Sequence, residues 1–254
     1  MMREALLIDH TRMKLGRKAI KRDSRTLRLA HYLAPDKPKP PVKWDWTGGV
    51  SSWGMMLNDR IGDCTIAGAA HAMQVWTKAL GKLHTVQDAE VQAAYEGWTG
   101  YDPKRPETDR GGIELDVLRK WRKSSLAGHK LLAFADASVA DLDMVRQAIY
   151  WFGGVYIGVA LPVSAQRQEV WDVVSNHGAG APGSWGGHCV YVPQYDDDGF
   201  TCITWGGLKR MTNRFWQLYC DEAHALLGAD WIGAKGSPLG FNLEQLEADL
   251  KQIN

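Results

Sequence analysis

Asn58-Asp59-Arg60-Ile61-Gly62-Asp63-Cys64-Thr65 is the stretch from which the fold is read. It places one cysteine directly after a polar, Gly-containing turn and directly before a helix-like run. Ile66, Ala69, Ala70, Met73 and Trp76 follow the 3.6-residue period, which predicts a helix over residues 65–80, with Gly81 as its stop. A thiol at a helix N-terminus meets unpaired backbone N–H groups and the positive end of the helix dipole. Both favour thiolate, the nucleophilic form.

A partner for that thiol lies 124 residues downstream, at His188 in Ser184-Trp185-Gly186-Gly187-His188-Cys189-Val190-Tyr191-Val192. A cysteine on a helix and a histidine on a strand are the two parts of a thiol-dependent acyl-transfer site. The elements between and around them divide the chain. Further helices are expected over 86–98, 115–123 and 141–152, and a short strand over 131–135. Strands are expected over 155–161, 189–195 and 200–205, the last two joined as a hairpin through Asp196-Asp197-Asp198-Gly199. Residues 212–219 read as a further strand, and 221–227 and 243–253 as helices. The expectation is an α+β fold, helical in its first half and antiparallel in its second, with a substrate groove between the halves.

Composition sets the outer bounds. With 254 residues, 45% hydrophobic and 23% charged, the chain is an ordinary globular one. Its net charge of +1 is unevenly spread: residues 1–43 hold 12 Lys/Arg against 4 Asp/Glu, so the remainder is acidic. Asp36-Lys37-Pro38-Lys39-Pro40-Pro41 reads as a stiff linker. The expected organisation is a basic arm over 1–41 and a single domain over 42–254, its helical half about 42–140 and its sheet half about 141–254. A solvated, partly disordered arm is the simplest expectation, although it could contact its own acidic body; a nucleic-acid partner would rest on the arm alone. No apolar run approaches the roughly 20 residues that span a bilayer, and the first ten residues make no signal peptide. A cytoplasmic, reducing location with four free cysteines is expected. The 12 Trp residues include Trp53-Gly54, Trp185-Gly186 and Trp205-Gly206, a pairing that suggests crowded backbone beside a groove.

These motifs and their order resemble the papain-like cysteine peptidases over roughly residues 42–220. Val42-Lys43-Trp44-Asp45-Trp46 with Gly49-Val50 is similar to the start of a mature papain-type enzyme, and the helix, Gly153-Gly154 and strand before His188 are similar to its helix–Gly-Pro–strand step. Asn58 stands six residues before Cys64, where the family carries a Gln whose amide helps form the oxyanion hole. Ile203-Thr204-Trp205-Gly206 stands where the family writes Asn-Ser-Trp-Gly. The resemblance implies a papain-like fold and hydrolysis of peptide or amide bonds. In it Cys64 is nucleophile, His188 base, Asn58 oxyanion donor and Trp205 a shield over the His. Trp205, Gly62, Asp63 and Gly187 are expected to line the substrate groove. It implies a peptide or protein substrate, no cofactor and no metal. Two departures bear on chemistry. Asp63 replaces a small residue before the cysteine, and the Asn that orients the His is missing. Counting from His188 makes Thr204 its substitute, whereas counting from Trp205 gives Ile203, which cannot hydrogen-bond. A retired papain-like fold that binds a peptide or serves as a structural phage protein, or an acyl transferase using the same pair, are the alternatives. The pattern from Trp53 to His71, with Lys14-Leu15-Gly16, also resembles a group of phage and bacterial proteins.

His71, two turns beyond Cys64, is expected to pack, and Cys189, next to His188 on its strand, to point into the core.

Overall fold

The computed structural model describes residues 9–33, 39–235 and 244, 245 and 248. Its centre is helix α1 (Cys64–Ala79), in which every residue from Cys64 to Thr77 is buried. The sequence suggests a helix with one apolar face; the structure instead surrounds it, which explains why Ala67, Gly68, Ala69, Ala70 and Ala72 are so small. A side chain on Gly68 would lie 3.1 Å from the Tyr156 ring and 3.3 Å from the Cys189 thiol. The helix ends in a Schellman-type turn: Gly81 (φ 78°) donates to Lys78 O and Lys82 donates to Thr77 O.

Helices α2 (Asp88–Thr99) and α3 (Glu114–Lys123) pack beside α1. Gln87 and Glu90 form a reciprocal capping box at the start of α2. Helix α4 (Leu142–Phe152) is capped by Asp141, which accepts from Met144 N at 2.9 Å.

The sheet contains β1 (Trp44–Asp45), β2 (Leu131–Asp136), β3 (Val155–Leu161), β4 (Gly186–Tyr195), β5 (Gly199–Thr204), β6 (Gly207–Thr212) and β7 (Cys220–Gly228). Its order is β2-β7-β3-β4-β5-β6, antiparallel throughout, with β1 on β4. Two registers position the site: Val159 lies opposite His188, and Gly158 lies between Cys189 on β4 and Glu222 on β7.

Two assignments made from sequence are corrected. Residues 221–227, rich in the helix formers Glu, Ala and Leu, belong to the interior strand β7, where pairing with both β2 and β3 overrides local propensity. Most of the expected strand over 212–219 is helix α5 (Asn213–Tyr219). Thr212 caps it by accepting from Phe215 N, and Phe215, Trp216 and Tyr219 anchor it in the core. Helix α6 (Ala229–Lys235) follows β7. The helix expected over 243–253 lies outside the described residues, apart from 244, 245 and 248.

The arm is ordered on the body over residues 9–33. Leu29 and Tyr32 enter the core, Asp136 N donates to Leu27 O, and Asp23 pairs with Arg119 at 2.5 Å. The basic arm therefore meets its own acidic body. Among the described residues no helix is long and apolar enough to cross a membrane.

Candidate active site

Cys64 is the first residue of α1, on a loop held from several sides. Met56 and Leu57 both adopt left-handed backbone conformations (φ 54° and 65°), a strained arrangement for non-glycine residues. The Asp109 carboxylate accepts from Gly62 N at 3.0 Å and from the Tyr95 hydroxyl at 2.7 Å, fixing the turn before the cysteine. Asn58 donates through Nδ2 to Asp63 Oδ1 at 3.1 Å, while Asp63 Oδ2 has no hydrogen-bond partner among the described residues. Asp63 is fully buried with its carboxyl toward Asn58, so it does not form the exposed groove wall expected from sequence. Burial pushes that carboxyl well up, reinforced by the charges of Asp109 and Asp88.

His188 stands near the start of β4, fully buried. Its Nε2 lies 2.7 Å from the Thr204 hydroxyl oxygen, and its Nδ1 has no partner among the described residues. Trp205 stacks on the imidazole at 4.5 Å and 16°. That Trp occupies an uncommon left-handed conformation (φ 46°), followed by Gly206 at φ 75°, forming the tight turn between β5 and β6. Thr204 thus faces the histidine, whereas Ile203 pairs with Tyr191 and is buried in the core. Cys189 is buried, with its thiol near Gly68 of α1. His71 is also buried and lies 3.3 Å from Gly54 O; burial lowers its pKa to about 4.

The electrostatics correct the expectation of a resting thiolate. Burial pushes the Cys64 thiol up to about 12; the backbone N–H groups of Cys189 and Gly16 pull the other way, and the nearby Asp63 and Glu114 carboxyls add to the rise. Desolvation outweighs the helix N-terminus here. Burial likewise lowers His188 to about 3, helped by the Arg17 charge. Thiol and imidazole are both neutral in this state.

The arm covers this site and contributes to its burial. Arg17 N donates to Gly187 O at 3.0 Å, Gly112 N to Gly16 O at 2.8 Å and Lys18 N to Gly112 O at 2.9 Å. Lys14 N donates to Asn58 O at 3.2 Å, and the His10 ring lies 4.7 Å from that of Trp205. A Cβ on Gly16 would fall 1.8 Å from Gly62 O, so only glycine lets the arm lie this close to the loop before Cys64. Gly62 and Gly187 both touch the arm. Arg17 inserts its guanidinium among Glu114, Asp221 and Glu222. Glu114, Glu222 and His224 bring ligand atoms within 4.8 Å of one another, the one cluster of metal-binding residue types among the described residues; Arg17 is the cation paired with both of its carboxylates.

Sequence reasoning named Gly16 only as part of a pattern, with no role, and missed Arg17, Glu114, Asp221 and Glu222. Their charges are unremarkable in sequence, and the three carboxylates come from α3 and β7, over 100 residues apart.

Solved structures give the fold its class. The chain is similar to xylellain, a cysteine protease from Xylella fastidiosa, at TM-score 0.66 and 14% identity over 85% of this chain and 96% of that one. It is similar to digestive procathepsin L 3 of Tenebrio molitor larval midgut at TM-score 0.60 and 12% identity, covering 86% of this chain and 77% of that one. A third likeness is to procathepsin B S9 from Trypanosoma congolense, at TM-score 0.60 and 11% identity, covering 87% and 88%. The fold is that of the papain-like cysteine proteases. No protein-family model and no curated protein sequence matches the chain.

Proposed function

We propose that the protein is a cysteine peptidase or amidase held in a covered state. Cys64 attacks the carbonyl of a peptide or amide bond, and His188 takes its proton. The Cys64 backbone N–H and the Asn58 side-chain amide stabilise the oxyanion once the Asn58 amide turns from Asp63. His188 then protonates the leaving amine, and water resolves the thioester. Thr204 fixes the imidazole through Nε2, and Trp205 shields it. The observation that carries this reading is the state of His188. Its Nε2 is bonded to Thr204 at 2.7 Å, its ring is stacked on Trp205, and its Nδ1 is left for a proton transfer.

Iodoacetamide alkylation of the four thiols against pH, read by peptide mass, tests it. In the full chain Cys64 should react slowly. With the arm unseated it should become the fastest site and keep reacting below about pH 6, an advantage that His188→Ala removes. A Cys64 that stays inert with the arm unseated sinks the peptidase reading. One observation favours the rival, a retired papain-like binding protein: the buried Asp63 carboxyl beside Cys64 engages Asn58, the oxyanion donor, at 3.1 Å. Inert thiols together with retained peptide binding would select it.

A further inference from the structure

The pocket that holds Arg17 is built more elaborately than an anchor for the arm requires. Arg17 Nη1 lies 2.9 Å from Glu222 Oε1, Nη2 2.5 Å from Asp221 Oδ2 and Nε 3.9 Å from Glu114 Oε1. Each guanidinium nitrogen faces a different carboxylate, an arrangement that the point charge of a lysine would not satisfy. The Arg17 side chain is only 4% exposed and that of Glu114 is fully buried. No N–H or hydroxyl group among the described residues hydrogen-bonds the Glu114 carboxyl, whose neighbours are the Arg17 guanidinium and the Cys189 thiol.

The floor is Gly158 on β3. A Cβ there would stand 2.6 Å from Arg17 Nη1 and 2.8 Å from Glu114 Oε1, so a glycine at this point makes the room for a guanidinium. The Arg17 backbone is clamped between Gly112 and Gly187, the residue before His188, by main-chain bonds open to any extended peptide. One residue away, the Gly16 N–H approaches the Cys64 thiol. When the arm leaves, Glu114, Asp221 and Glu222 lose their cation, with His224 as the remaining basic neighbour at 3.6 Å from Glu222. Buried carboxylates left this way are costly until another cation enters.

We infer that this pocket is the specificity subsite of the groove and selects an arginine side chain in the substrate peptide, Arg17 being the chain's own occupant. The inference rests on the peptidase reading, and the experiment separates the two. The full chain carrying Gly16→Ala, shown by accelerated Cys64 alkylation to have its arm unseated, is given a mixed peptide library, and cleavage sites are read by mass spectrometry. The same chain with Cys64→Ser added is titrated with N-acetyl-arginine amide and N-acetyl-lysine amide.

Arginine should be enriched at least tenfold over lysine and leucine at one fixed distance from the cleaved bond. Glu222→Gln and Gly158→Ala should each abolish that enrichment while leaving some cleavage. Arginine amide should bind at least tenfold tighter than lysine amide. Cleavage without arginine preference overturns the inference and leaves the peptidase reading intact. Arginine-selective binding lost in Gly158→Ala, with no cleavage at all, supports the pocket and sinks the peptidase reading. Neither cleavage nor selective binding overturns both. Circular dichroism checks that each variant is folded, and Asp221→Asn, at the partly exposed rim, serves where Glu222→Gln does not fold.

Discussion

Gly16→Ala is the smallest change that should uncover Cys64. The added methyl would sit 1.8 Å from Gly62 O, 2.2 Å from Gly62 C and 2.5 Å from its Cα, all backbone atoms with no rotamer to change. Ordinary contact begins near 3.4 Å, so the arm must move by about 1.6 Å. Bonds of 2.8–3.0 Å do not survive that displacement. The three at risk are Gly112 N to Gly16 O, Arg17 N to Gly187 O and Lys18 N to Gly112 O. At about 1 kcal/mol net each, their loss shifts the covered–open equilibrium by about 3 kcal/mol, on the order of 100-fold. Alkylation through a transiently open state follows the open population. The Cys64 alkylation rate should therefore rise on the order of 100-fold, read by peptide mass. Cys202, fully buried in β5, is the internal reference and should stay unmodified. A folded variant whose Cys64 reacts at the original rate would refute the arm as the cover. Equal acceleration at Cys202 would mean general loosening instead.

Thr204→Val leaves His188 Nε2 buried without its hydroxyl partner, at a cost of about 1–2 kcal/mol, or roughly 3–6 °C in Tm; Thr204→Ser should restore it, and calorimetry reads both. His224 is raised to about 10, because Asp136 and Glu222 beside its ring outweigh burial. Its raised pKa gives stability that is complete below pH 6.5 and lost as pH rises toward 10. His224→Gln should therefore flatten the fall of Tm across that window, and a parallel fall in both proteins would count against the pairing. In the covered chain Cys64 alkylation should climb with pH up to about 12 without levelling off near 8.5, whereas Gly16→Ala should bring the midpoint down. Gly154→Ala should cost more than about 3 kcal/mol by urea denaturation, since the residue sits at φ 153° and a Cβ would meet the Tyr191 ring at 2.5 Å.

What could be read from sequence was what is local or fixed by order. The polar turn, the cysteine and the helical period of α1 lie within one window, and the β4–β5 hairpin announces itself by Asp196-Asp197-Asp198-Gly199. There Asp196 Oδ1 accepts from Asp198 N and Gly199 N, as a turn-forming Asp does. The β7 segment misled because Ala and Leu fit a helix as well as a strand buried on both sides, and only pairing with β2 and β3 decides between them. Thr204 was one of two alternatives in sequence, and the turn at Trp205 decides which of them faces His188. The arm's path was not legible: it depends on Gly16 meeting Gly62 and Gly111, and on carboxylates carried by α3 and β7.

The electrostatics of this site are tied to the position of the arm, whose Gly16 and Arg17 act on Cys64 and His188. A thiol near 12 and an imidazole near 3 are far from an ion pair, and desolvation is the largest influence on both. Removing the arm should re-solvate both groups at once, moving each pKa toward the other and returning to the helix N-terminus its influence on Cys64. The arm's own Gly16 N–H favours the thiolate, but the burial that comes with it wins. A water-filled groove loses that N–H and the burial together, and the larger effect sets the direction. The neutral pair therefore belongs to the covered state and is no argument that the residues are inert. Asp63 acts in the opposite direction: it is buried at the base of the α1 N-terminus and paired with Asn58, burial lifts its own carboxyl, and any charge it carries opposes the thiolate of Cys64.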